Sequence, residues 1–369
     1  AVVMSTRRGA GDEEGAERAR GNTVLMLLAA SAVLTVSLTF FLEPALRFLG
    51  AEGQMLELAM EYTRVVAIGC GAYVMSSGLT PLLRNRGKTV AAMCALSVSM
   101  IANVLLDALL TMVIPWGMFG AALATVISEG LSAAICAGVM LSDRKEWIRR
   151  RDLVPERKTV WNILKIGASP MGLFLSPSLV IVFSNWQCLA YGGEMAVAAY
   201  SVLSYLSGAC QSLLQGVGEG VQPIISYCRG AENYAAMKRT LRKAAAMTMA
   251  MAVLAMALIF LFRGGLPDLF GTSEEVGNVI CRAALFVMAA LPFLGATRLL
   301  SSYFYAVDEP RLAMVMAYAD PAAATPVFVF LLPMLFDLDG VWLAYPAAQA
   351  ALAAAALWML RRYHKRVAV

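Results

Sequence analysis

The sequence predicts an all-α, polytopic membrane protein built as two pseudo-symmetric helical bundles. Three observations predict it. Apolar residues make up 60% of the 369 residues and charged residues only 15%, whereas a soluble domain usually carries about a quarter charged residues. The apolar residues fall in runs of roughly twenty or more, the length a helix needs to cross a hydrocarbon core of about 30 Å. Most of the basic residues sit in alternate loops between those runs.

Taken in order, the runs give ten spans: 22–49, 56–82, 89–114, 117–141, 161–189, 195–226, 244–262, 276–305, 312–335 and 340–360. Short loops join them, and the longest polar stretch is SDRKEWIRRRDLVPERK, residues 142–158. One set of alternate loops holds Arg7, Arg8, Arg18 and Arg20, then Arg84, Arg86 and Lys88, then the basic residues of 144–158. It continues with Arg229, Lys238, Arg239, Arg242 and Lys243, then Arg311, then Arg361, Arg362, Lys365 and Arg366, altogether 24 of the 30 basic residues. The other set holds Arg47 and Arg263. Basic loops stay in the cytoplasm, so the C-terminus is expected there, and so are the residues just before Asn22. The net charge of +5 is thus a topology signal, and no nucleic-acid partner is expected.

The chain also repeats itself. Arg8-Gly9-Ala10 recurs as Arg229-Gly230-Ala231, Phe48-Leu49-Gly50 as Leu269-Phe270-Gly271, and Gly120 as Gly340, while Glu129 falls opposite Gln349, all at offsets of about 220 residues. Both RGA loops are assigned to the same side, so the repeats are parallel, an arrangement of transporters that places the substrate path between the halves. This divides the chain into an N-terminal lobe at 1–141, a cytoplasmic connector at 142–160 and a C-terminal lobe at 161–369. The second half has two spans before its RGA loop and the first half only a few residues. The N-terminal lobe is therefore expected to lack about two spans, and an intact protein to have twelve.

Polar residues inside lipid each need a reason, because a charge at mid-bilayer costs at least about 2.5–3.5 kcal/mol. Asn103 and Asp107 are four apart and share one helical face; a carboxylate beside an amide oxygen can take a proton or Na⁺. The span 195–226 carries Ser204, Ser207, Gln211, Gln215, Glu219 and Gln222 at steps of three and four, one polar stripe on an apolar helix. Lipid cannot solvate such a stripe, so it is read as the wall of a wet cavity, with Glu219 the leading ion-coupling candidate. Gly216, Gly218, Gly220 and Pro223 are expected to break regular helix there. Glu129 and Asp320 are further ion candidates. Arg298, mid-way along its span, is expected to pair with an acid such as Asp320. Asn185 is a weaker cavity candidate.

His364, in the basic tail, is the one histidine, which argues against histidine catalysis and a histidine-ligated metal site. The seven cysteines are scattered with no CxxC pair and read as small buried hydrophobes. No Walker A pattern is present to drive transport with ATP. An enzyme is not expected, and neither is a metal or other cofactor.

Several segments resemble the multidrug and toxic compound extrusion family: GVGEGVQPIISYCRGAENY at 216–234, RRGAGDEEGAERARGN at 7–22, LLRNRGKTVAAM at 82–93, and Asn103-Val104-Leu105-Leu106-Asp107 followed by GMFGAALATVISE. The resemblance covers nearly the whole chain and is nearest to bacterial members. It implies a two-lobed antiporter of the bacterial inner membrane, working as a monomer and exporting organic cations, drugs or metabolites against H⁺ or Na⁺. The alternative is a lipid-linked oligosaccharide flippase of related architecture, which would carry more basic residues in its cavity.

Overall fold

Inside lipid the backbone must satisfy its own hydrogen bonds, which leaves helices as the way for these apolar runs to cross. Glycines and a few acidic residues then decide where the chain turns. The computed structural model describes residues 1–48, 51–142 and 148–367. Residues 143–147 of the connector, and Leu49 and Gly50 of the repeat landmark, lie outside the described residues. By internal packing the chain forms two compact units, Ala1 with Val3–Trp161 and Val2 with Asn162–Val369.

In the first unit, α1 (Val2–Gly9) and α2 (Glu13–Phe48) are followed by α3 (Gly53–Asn85), α4 (Thr89–Ala108) and α5 (Gly117–Leu141). A wider π turn, Leu109–Val113, extends α4. Leu79, Leu82 and Leu83 of α3 pack with Ala16 and Ala19 of α2 and Ala92 and Ala95 of α4. Small residues there let backbones approach closely. Ser76 donates to Ser132 across α3 and α5 at 2.9 Å.

The connector closes back on this unit. Asn22 is fully buried, and its Nδ2 donates to the carbonyls of Asp152 and Val154 at 3.2 and 3.1 Å, while its Oδ1 accepts from Glu156 N–H at 2.9 Å. Beside it Gly21 lies so close to the strap that a Cβ would strike the Asp152 carbonyl.

The second unit runs α6 (Arg157–Gly230), α7 (Tyr234–Phe262), α8 (Leu266–Leu269), α9 (Glu274–Ala306), α10 (Pro310–Ala319), a π turn at Asp320–Ala324, α11 (Thr325–Leu331) and α12 (Pro333–Val367). At 74 residues, α6 would extend roughly 110 Å if straight, far beyond one bilayer crossing. It is broken at Gly193 (φ 63°, ψ −160°), a conformation essentially reserved for glycine. Its arms, 157–192 and 194–230, carry two of the expected spans. This is why ten spans in the sequence appear as nine membrane-length helical stretches among the described residues. α9 forms the core: Ile280, Leu291, Leu294, Tyr303 and Phe304 are each fully buried.

The structure differs from expectation at Gly216–Pro223, which stays helical. Gly218 serves close packing instead of a break, since a Cβ there would sit 2.5 Å from Ser302 Oγ of α9.

The two bundles are pseudo-symmetric down to their turns. Left-handed residues pair across the repeat as Gly11 with Glu232, Gly87 with Asp308, and Gly117 with Asp337. Gly120 and Gly340 each press on a backbone carbonyl, of Leu110 and Leu332. Ser5 donates to Asn85 in one repeat and Ser226 to the Ala306 carbonyl in the other.

Candidate functional site

Asp320 follows a ten-residue helix and precedes Pro321, which has no N–H to give the helical ladder. The chain widens into a π turn at this point, a device often found at functional positions. Asp320 is 6% exposed, and its carboxylate collects donors from three other elements. Thr325 Oγ1 of α11 donates to Oδ1 at 2.8 Å. Ser176 Oγ, from the first arm of α6, and Gln349 Nε2, from α12, each donate to Oδ2 at 3.3 Å. Gln349 is fixed in turn by Thr297, whose Oγ1 donates to its Oε1 at 3.1 Å.

Arg298 of α9 completes the cluster. It is 5% exposed. Its Nη2 donates to Gln211 Oε1 of the second α6 arm at 2.8 Å and stands 3.9 Å from Asp320 Oδ2. Its Nε is buried without a hydrogen-bond partner. A guanidinium and a carboxylate are thus held together out of water, and apart from the guanidinium Nε the hydrogen bonds they make go to neutral side chains. Such satisfaction is what makes a buried pair tolerable.

This cluster forms one wall of a cavity of about 150 Å³ inside the second unit. Ser204, Ser207 and Gln211 line it from α6, Phe286 from α9, and Trp342 and Tyr345 from α12, with Tyr200 close by on α6. A cavity of that order admits a benzene-sized group. The setting can therefore hold an aromatic or aliphatic ring against a buried charge pair. Among the described residues, no group of three or more His, Cys, Asp or Glu side chains could hold a metal ion.

The structure separates the remaining stripe residues from this cavity. Gln215 Nε2 donates to Glu219 Oε1 at 3.0 Å, a pair within α6. Gln222 is buried and donates to Ser226 Oγ at 3.1 Å, in the seam that Ser226 extends to the Ala306 carbonyl of α9. Neither pair lines the cavity, and neither does Asn185, whose Oδ1 is buried and unpaired. Asn103 and Asp107, half-buried on α4, and Glu129, half-buried on α5, belong to the first unit.

The MatE family matches residues 1–109 and 173–320, a span that includes Ser176, Gln211, Arg298 and Asp320. The chain belongs to the MatE family. Members of that family are transporters and not enzymes. The chain is 26% identical over 343 residues to the multidrug export protein MepA of Staphylococcus aureus, an alignment covering 91% of this chain and 74% of MepA. An outward-facing multidrug resistance MATE family transporter of the MOP superfamily matches its fold with a TM-score of 0.94, at 22% identity, over 99% of this chain and 82% of that one. A MOP superfamily transporter from Pyrococcus furiosus, described as having a binding pocket of reverse polarity, matches with a TM-score of 0.93 at 22% identity, over 100% of this chain and 83% of that one. This MatE chain is therefore a multi-pass bacterial membrane protein.

Sequence reasoning missed Ser176, Thr325, Tyr200, Trp342 and Tyr345 of the MatE cavity. Ser176 and Thr325 each stand next to a proline, Pro177 and Pro326. That polar-proline pairing inside an apolar run was the available signal. The aromatic residues carried none, since aromatic side chains are ordinary in a membrane helix.

Proposed function

We propose that this protein is a secondary antiporter that exports organic cations, drugs or metabolites, and that the cavity beside Asp320 holds part of the substrate. The observation that carries this reading is the environment of Asp320: a buried carboxylate in a membrane helix, joined to Arg298 and three neutral donors at the wall of a ring-sized cavity. Ionisable groups at such depth mark ion and substrate paths. The naming of MepA as a multidrug export protein points the same way.

The chemistry follows from charge balance. Ionised, Asp320 offsets Arg298, and the faces of Trp342, Tyr345 and Phe286 attract an organic cation. Protonated, Asp320 leaves the guanidinium uncompensated, and the cavity repels the same cation. Proton and substrate then exclude each other from one site, which is antiport. Moving one charge through about 100 mV supplies roughly 2.3 kcal/mol for the cycle. H⁺ suits this site better than Na⁺, because Ser176, Thr325 and Gln349 present N–H and O–H groups to the carboxylate and Arg298 would repel a metal cation. The balanced pair also fits an oligosaccharide flippase less well, since that reading calls for an excess of basic groups. In this proposal the protein acts as a monomer in the inner membrane, its C-terminus on the cytoplasmic side by the bias of its basic loops, with lobes at 1–141 and 161–369 joined by 142–160.

The test is ethidium accumulation in an efflux-deficient host. Expression should lower accumulation, and Asp320→Asn should restore the level of the empty vector. In everted vesicles an imposed proton gradient should drive uptake, and replacing Na⁺ with choline should leave it unchanged. Accumulation that stays at the empty-vector level across a panel of organic cations would overturn drug export. Transport lost on removing Na⁺ would overturn the proton.

A further inference from the structure

A second groove, of about 260 Å³, opens between the start of α10 and the end of α12 and shares no lining residue with the cavity at Arg298. Its walls carry Arg311 from α10 and Arg362 and Arg366 from α12. On α12, Trp358, Arg362 and Arg366 follow at four-residue spacing and so share one face, and all are exposed. The Arg362 guanidinium lies 3.9 Å from the centre of the Trp358 ring, which fixes a side chain that would otherwise roam. α10 begins at Pro310, which has no N–H, and carries no side-chain cap; Ala313 N–H bonds the Glu309 carbonyl, so the first turn leaves the N–H groups of Arg311 and Leu312 open to an anion. Tyr363 also lines the groove; it is 4% exposed, and its hydroxyl is buried without a hydrogen-bond partner. Among the described residues, none of the three arginines has an ion-pair partner, although Glu309 stands on the same wall.

We propose that this groove binds the phosphate headgroup of an acidic phospholipid in the leaflet facing the basic loops. Three arginines around an uncapped helix start recognise phosphate, and planar guanidinium groups do so with two donors each. The lipid is the source because Trp358 is 54% exposed beside Leu357 at 47%, with Val315 of α10 at 52%. Apolar side chains at that level face acyl chains, and tryptophan favours the headgroup boundary. Basic pockets between membrane helices on the cytoplasmic side hold anionic headgroups for the same reason. This inference rests on the cytoplasmic assignment of this helix end and is independent of the Asp320 site.

The experiment reconstitutes the full chain in phosphatidylcholine nanodiscs containing phosphatidylglycerol and measures the phosphatidylglycerol retained after detergent extraction by native mass spectrometry. Wild type should retain it. Each of Arg311→Gln, Arg362→Gln and Arg366→Gln should weaken retention about five-fold, equivalent to roughly 1 kcal/mol per arginine, and Glu309→Gln should strengthen it. Neutralising the exposed Lys238, Arg239 and Arg242 together should leave retention unchanged. Equal retention by all three arginine variants, or equal loss from the 238–242 variant, overturns the site. Displacement of the lipid by inorganic phosphate at matched concentration overturns the lipid in favour of a soluble phosphate. Because the arginines are exposed, the single variants are expected to fold, and an unchanged gel-filtration profile checks that they do.

Discussion

Arg298 Nη2 lies 3.9 Å from Asp320 Oδ2, yet the guanidinium makes its short hydrogen bond, 2.8 Å, to Gln211. The pair is electrostatic contact without full chelation, and Gln211 holds the guanidinium in place independently of the carboxylate. Its removal should still be costly. Breaking a buried pair from one side typically costs about 3–5 kcal/mol, because the other charge is left uncompensated. Arg298→Met and Asp320→Leu should each lower the melting temperature in detergent sharply. The double variant should recover most of the loss while remaining inactive. A double variant no more stable than either single one would show that the pair does not act as a unit.

Glu219 and Asp320 are separable by function. Glu219 accepts from Gln215 of its own helix and stands outside the cavity, and glutamine can keep that hydrogen bond. Glu219→Gln should therefore export ethidium within about two-fold of wild type. Asp320→Asn should lose at least about ten-fold of proton-driven export, equivalent to roughly 1.4 kcal/mol. The reverse ranking, read as initial uptake rates in everted vesicles, would move coupling to Glu219.

The contrast shows what one chain of letters can carry. Spans, loop polarity and the repeat are local or periodic properties, so they were legible: lipid demands long apolar helices, and the offset near 220 residues reappears in the left-handed turns at Gly87 and Asp308. The stripe from Ser204 to Gln222 was also legible as a stripe. Its division was not, because which polar side chain meets a cavity and which meets a neighbouring helix depends on partners far away in sequence. Ser226 satisfies Gln222 within one turn, whereas Gln211 is claimed by Arg298 from 87 residues away. The break at Gly193 was legible as the gap between the spans 161–189 and 195–226, but the unbroken helix at Gly216–Pro223 was not, since nothing local shows that Ser302 lies against Gly218.

The strap behind Asn22 should open when that residue is shortened. Asn22 donates to two strap carbonyls and accepts from Glu156 N–H, and losing these bonds should cost about 2 kcal/mol of local stability. Cleavage follows the population of the open form when closing is fast. Trypsin should then cut the 149–151 arginine run roughly 30-fold faster in Asn22→Ala than in wild type, the equivalent of that free energy. Gly21→Ala should act in the same direction by colliding with the Asp152 carbonyl. Unchanged cleavage in both variants would mean that something other than α2 holds the strap.

The repeat itself supplies the last prediction. Asp337 adopts φ 49°, ψ −133° inside α12, a conformation disfavoured for any residue with a Cβ. Its counterpart in the first repeat, Gly117, holds φ 55° as the one residue type that does so without strain. A strained residue of this kind costs of order 1–3 kcal/mol. Asp337→Gly removes the Cβ penalty but frees the unfolded chain, so the net gain should be about 1 kcal/mol. Gly117→Asp imposes the strain anew and should lose about 1–2 kcal/mol. Both are read as detergent melting temperatures, and they should move in opposite directions. A fall in melting temperature for Asp337→Gly would show that the carboxylate, and not the backbone turn, is what that position conserves in the fold.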